Sequence, residues 1–100
     1  MATITIRANG SEKHETVRGL VQSALQRERE NLNFALARTE GELARFEKRY
    51  RVPSAKFYRR YRAGKFDDRD DFIDWAGEYQ IYLLLKKQIS SLRGLKIAGR

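Results

Sequence analysis

Residues 32–50 read LNFALARTEGELARFEKRY, and the fold turns on how this stretch is read. Leu32, Leu36, Thr39, Leu43, Phe46 and Tyr50 recur at an unbroken 4-3-4-3-4 spacing. Residues three and four apart share one face of a helix. A stripe of this period is the seam of a coiled coil, or of a helix laid along another helix. The positions around it mix signs, with Glu28, Glu30, Glu40 and Glu42 set against Arg27, Arg29, Arg38 and Arg45. Mixed charge of this kind marks a solvated flank.

Outward from the seam, no proline interrupts the chain before Pro53, which predicts one long helix over 12–51. Ser11 is placed to cap it, with Glu12 and Glu15 in the first turn favoured by the helix dipole. Leu25 extends the apolar positions towards the N-terminus. Gly19 and Gly41 each weaken the helix by about 1 kcal/mol relative to alanine. Val52-Pro53-Ser54 ends it. Ser54 then caps a short helix within 54–64, with Gly64 as the residue just past its end. Asp67 or Asp68 caps a third helix over 68–93, and Asp70, Asp71 and Asp74 suit its first turns. Phe72, Ile73, Trp75, Ala76, Tyr79 and Ile81-Tyr82-Leu83-Leu84-Leu85 cover most of its circumference. A helix that is apolar nearly all round packs on more than one side, so it should fold back along the first. Residues 94–100 read as a basic tail.

At the start, Thr3-Ile4-Thr5-Ile6-Arg7 alternates and is β-branched, the pattern of a strand, and Asn9-Gly10-Ser11 ends it with turn chemistry. One strand of this length is not stable alone, so the reading gives it a partner in another copy or another protein. The expected fold class is therefore mostly α, as one domain over 1–100. It has a short N-terminal strand and turn over 1–11, a long heptad-patterned helix, a short helix, and a third helix packing back on the first.

Composition narrows the function. The chain has 100 residues, 41% of them hydrophobic, and no cysteine. That excludes a disulfide framework and a thiolate metal site. The longest apolar run, Ile81–Leu85, is far below the ~20 residues a bilayer demands. MATITIRANG has no basic segment leading an apolar one, so it does not read as a signal peptide. The expectation is a soluble cytoplasmic protein with no membrane partner.

The charge is concentrated. Residues 45–65 hold Arg45, Lys48, Arg49, Arg51, Lys56, Arg59, Arg60, Arg62 and Lys65 against one acid, Glu47. That surplus equals the net charge of the whole chain, +8. Phe46, Tyr50, Phe57, Tyr58 and Tyr61 are threaded through it. A localised field with arginine predominating suits phosphates or carboxylates, that is, a nucleic acid or an acidic protein. The bland reading is a solvated face balanced by Asp67–Asp74. Phe57 and Tyr61 read as core rather than as stacking platforms, and Trp75, Tyr79 and Tyr82 read as core between helices, the alternative being a partner hot spot. Leu32, Leu36, Leu43 and Phe46 form the candidate seam for self-association or for a partner.

Nothing points to catalysis. His14 is the lone histidine and reads as a surface residue of the first helical turn. No phosphate-binding loop, dinucleotide fingerprint, zinc motif or nucleophile–histidine set is present. The aspartates at 67–74 lack the calcium-loop pattern and read as caps rather than as a metal site. No cofactor is expected.

The stretch Phe57-Tyr58-Arg59-Arg60-Tyr61-Arg62-Ala63-Gly64, followed by Asp70-Asp71-Phe72-Ile73-Asp74-Trp75-Ala76-Gly77-Glu78-Tyr79, resembles small prokaryotic helical antitoxin-like proteins encoded beside a toxin gene. The likeness covers about residues 1–93, opening strand and charged helix included. It implies a non-enzymatic protein that sequesters a small toxin, and it brings no catalytic residue. The opening strand is also similar to that of ribbon–helix–helix repressors, but a long helix follows it here, so that likeness ends near residue 11. The expected function is antitoxin-like binding of a small protein through the long helix and the basic segment, in a homo- or hetero-oligomer. The alternative is a basic helical homodimer that binds DNA or RNA.

Overall fold

A computed structural model of the chain describes residues 3–6 and 11–99. The Asn9-Gly10 turn, the Ser11 cap, the Glu12 and His14 side chains, and the Lys96 and Arg100 side chains lie outside the described residues. The order is β1 (Thr3–Ile6), α1 (Ser11–Tyr50), α2 (Ser54–Arg62), α3 (Asp70–Arg93) and β2 (Lys96–Gly99). The protein is mostly helical, as the periodicity predicts. The chain divides into two compact units, one of residues 1–33 with 87–100 and one of residues 34–86.

The 34–86 unit holds the core. Leu43 and Phe46 of α1, Phe57 of α2, and Phe72, Trp75 and Ala76 of α3 bury their side chains together. Thr39 of the seam is also buried. Here α1 packs on α3 through aromatic faces. Trp75 lies near-parallel to Phe46 at 5.6 Å and to Tyr50 at 5.7 Å. The α2 ring Phe57 stacks on the indole at 3.8 Å and 3°. Pro53 at the head of α2 brings no side-chain cap. Instead Glu47 of α1 reaches across the turn, and its Oε2 accepts the Ser54 backbone N–H at 2.8 Å.

The expectation that the Ser54 hydroxyl caps α2 is corrected. Its Oγ accepts the buried Trp75 indole N–H at 2.9 Å. An indole donor enclosed by rings needs an acceptor, and Ser54 is the hydroxyl beside it.

Both turns of this unit rest on left-handed residues. Gly64 has φ 77°, and the N–H groups of Gly64 and Lys65 bond to the carbonyls of Tyr61 and Arg60. This is the Schellman closure expected of a glycine past a helix end. Arg51 has φ 59° where α1 stops. Before α3, the Asp67 carboxylate takes the Arg69 backbone N–H at 3.1 Å, and the Arg69 carbonyl receives the Ile73 N–H at 3.2 Å. Asp67 therefore anchors the residue that opens α3.

The other unit carries the two strands. β1 and β2 pair in parallel, with Ile4 opposite Ile97 and Ile6 opposite Gly99. This overturns the expectation that β1 finds its partner in another chain, and it replaces part of the basic tail with a strand. Within this unit α1 at Arg29 and Asn33 lies beside α3 at Ile89 and Leu92, which returns the chain to its own beginning. Unlike the 34–86 unit, it has no buried side chain among the described residues.

Candidate functional site

The nine basic residues of 45–65 all lie in the 34–86 unit, and all are exposed. Two are tied down. Arg45 pairs with Glu42 at 3.2 Å and sits 4.8 Å from the centre of the Phe46 ring. Its hydrogen bond to Glu42 raises the guanidinium above its ordinary value. Arg49 pairs with Asp71 at 3.2 Å. The same carboxylate accepts the Tyr50 hydroxyl at 2.5 Å, which raises the phenol above its ordinary value.

Lys48, Arg51, Lys56, Arg59, Arg60, Arg62 and Lys65 make no ion pair with the described residues. Among the described residues, Asp71 alone of the aspartates at 67–74 forms an ion pair with the basic stretch. Asp71 meets Arg49, while Asp67 meets Arg69 at 2.9 Å. The pair with Arg69 lowers the Asp67 carboxyl below its ordinary value. Among the described residues, no group of three or more acids, histidines or cysteines is arranged to hold a metal, and no helix is long and apolar enough to cross a membrane.

The periodicity of α2 sorts its side chains. Ser54, Phe57 and Tyr61 turn to the core. Lys56, Arg59 and Arg60 stand at i, i+3 and i+4 on the opposite side, and α2 contains no acid. Its outer face thus carries cations and no acid. Arg62 lies to the side, 5.9 Å from the Tyr58 ring. Gln80 donates to the Tyr58 hydroxyl at 3.0 Å, and this bond, aided by Arg62, lowers the phenol below its ordinary value. The aromatic rings among the basic residues belong to the core or pack against it, so the surface offers cations without a stacking platform.

The seam is divided. Leu43 and Phe46 are buried in the core of the 34–86 unit, while Leu32 and Leu36 are half-buried. Trp75 is fully buried, so the core reading of that run holds at its centre. Tyr79 and Tyr82 are half-buried and border an open groove of ≈ 350 Å³ at the head of α2, together with Glu40 and Glu47.

A second groove escaped the sequence reading. It lies between α1 and α3 in the 34–86 unit, has a volume of ≈ 280 Å³, and is floored by Phe46, Ile73, Gly77 and Ile81. Glu42, Arg45, Asp74 and Glu78 rim it. Ile73, Gly77, Ile81 and Leu84 share one face of α3, and the three apolar side chains are about half exposed. The signal was available in that 4-4-3 spacing, but the nearly all-round apolarity of α3 hid it.

No family model, curated protein or solved structure matches this chain.

Proposed function

We propose that this chain is a non-enzymatic, antitoxin-like binding protein that sequesters a small protein partner along its long helix, in the cytoplasm. The observation that carries the reading is the incompleteness of the unit formed by 1–33 and 87–100. Val17, Val21, Leu25, Leu32, Ile89 and Leu92 are only half-buried there, and Leu20 is 65% exposed. Among the described residues the sheet has two strands, a marginal sheet on its own. An added strand and an apolar helix face from another polypeptide would complete both, a recurrent mode of peptide recognition. The basic outer face of α2 would cover an acidic or RNA-like site on the same partner.

The test is co-expression with the product of the immediately adjacent gene. The two proteins should co-purify as one complex, and Leu25→Glu should break it while leaving the Trp75 fluorescence intact. Failure to co-purify, with the chain a clean monomer at tens of micromolar, would sink the reading.

Direct nucleic-acid binding is the second reading, favoured by Lys56, Arg59 and Arg60 standing together without an acid on α2. Affinity would then fall steeply with salt, by about 0.9 in log–log slope for each duplex phosphate neutralised. Glutamine at Arg59, Arg60 and Arg62 should flatten that slope. No binding to DNA or RNA at low salt removes this reading.

A further inference from the structure

The α1–α3 groove of the 34–86 unit has three properties that the chain's own fold does not explain. Its charge opposes that of the molecule: three carboxylates and one arginine border it, on a protein of net charge +8. Arg45 is committed to Glu42, while Asp74 and Glu78 make no ion pair with any described residue. Glu78 Oε1 is buried and receives no hydrogen bond from the described residues. A buried acceptor without a donor is destabilising, and such groups are rare in native proteins.

The second property is apolar exposure. Ile73 is 48% exposed, Ile81 45% and Leu84 54%. They form a stripe along three turns of α3, turned away from the buried Trp75 side chain.

The third is glycine. Gly77 lies mid-stripe, and a Cβ added there would meet nothing within 4 Å. Glycine inside a helix is less stable than alanine, and nothing in the chain's own packing requires it. Gly41 of α1 is equally unobstructed. Phe34 is 76% exposed. Glycine in such a place lets a second backbone approach closely.

We propose that this groove seats a basic amphipathic helix of the protein partner. Its apolar stripe lies over Ile73, Gly77 and Ile81, and an arginine or lysine pairs with the Glu78 and Asp74 carboxylates at the rim. The proposal rests on the reading that the chain captures a protein. Walls made by two helices suit a helix as occupant. The acidic rim selects a cationic one, against the sign of the molecule as a whole.

The experiment uses the full chain and two labelled helical peptides of about 16 residues. Both carry leucine at i, i+4, i+7 and i+11; one flanks the leucines with arginine, its twin with glutamate. Net charge alone favours the glutamate twin. The groove predicts the reverse, with the arginine twin binding at least tenfold more tightly by fluorescence anisotropy. Glu78→Gln with Asp74→Asn should abolish that preference. Gly77→Leu should block binding, while Gly77→Ala raises the melting temperature.

Equal affinities, a preference for the glutamate twin, or no binding of either peptide would overturn the proposal. A wild-type dimer that Glu78→Gln disperses would also overturn it, by making a second copy the occupant. If Gly77→Leu still co-purifies with the neighbouring gene product, the groove assignment falls while the sequestering function stands.

Discussion

Replacing Trp75 with alanine removes the side chain that all three helices of the 34–86 unit share. The indole is 0% exposed, stacks on Phe57 at 3.8 Å, and donates to Ser54 Oγ at 2.9 Å. Truncating a buried tryptophan costs about 3–5 kcal/mol. A well-stacked aromatic pair adds about 0.5–1.5 kcal/mol beyond the area it buries, which places this site towards the upper end. A small domain is stable by roughly 5–15 kcal/mol in all. At about 4–8 °C for each kcal/mol in a chain of this size, a loss of 3 kcal/mol lowers the melting temperature by at least roughly 12 °C. Thermal unfolding followed by circular dichroism at 222 nm measures this. The wild-type indole emission should also be blue-shifted and poorly quenched by iodide. A mutant that melts within about 2 °C of wild type, or a freely quenched indole, would refute the burial on which the packing of α1, α2 and α3 depends.

Ser54→Ala leaves the Trp75 indole N–H buried without its acceptor and should cost about 1–3 kcal/mol in chemical denaturation, whereas a mere N-cap serine would be insensitive to Trp75→Phe in the same background. Arg51→Gly should stabilise the protein by up to about 1 kcal/mol, because the left-handed backbone at φ 59° suits glycine; a loss of stability would show that the arginine side chain outweighs the strain. Tyr50 should ionise above the ordinary tyrosine range, because its hydroxyl is bonded to Asp71. A raised folded pKa means that this contribution to stability is complete below the unfolded tyrosine value and is lost as pH rises through the folded one. A spectrophotometric titration at 295 nm, with Tyr50→Phe as the control, should show that late component disappear.

Much of this architecture could be read before any coordinates, for reasons tied to particular residues. The 4-3-4-3-4 spacing from Leu32 to Tyr50 survives as the face that α1 presents, down to Thr39 within the core. Gly64 was readable because only a few residue types tolerate the conformation that ends α2. β2 was not readable. Lys96-Ile97-Ala98-Gly99 pairs in parallel with a strand more than ninety positions earlier, and such pairing leaves no local signature. Ser54 misled because a serine before a helix has a common local use, while the indole that takes its hydroxyl lies 21 residues away. The basic residues were plain in the chain. Which of them are paired, and that their interleaved rings turn inward, depended on the packing. The acidic groove needs two helices in register, so neither helix alone announces it.

The way α2 is held has a consequence for the order in which the chain folds. Nine residues are fewer than the ~12–15 an isolated helix needs to persist in water. Its first turn has no acid and no cap of its own. The donor at its head is satisfied by Glu47 of α1, and its serine hydroxyl by Trp75 of α3. While the chain is being synthesised, residues 54–62 are therefore a loose cationic peptide, because α3 is still unmade. Their expected route to a helix is therefore the packing of α1 against α3, which supplies both contacts of Ser54. The outer face of Lys56, Arg59 and Arg60 does not exist as an ordered array before that step, so a polyanion that recognises the array engages the finished protein and not the nascent chain.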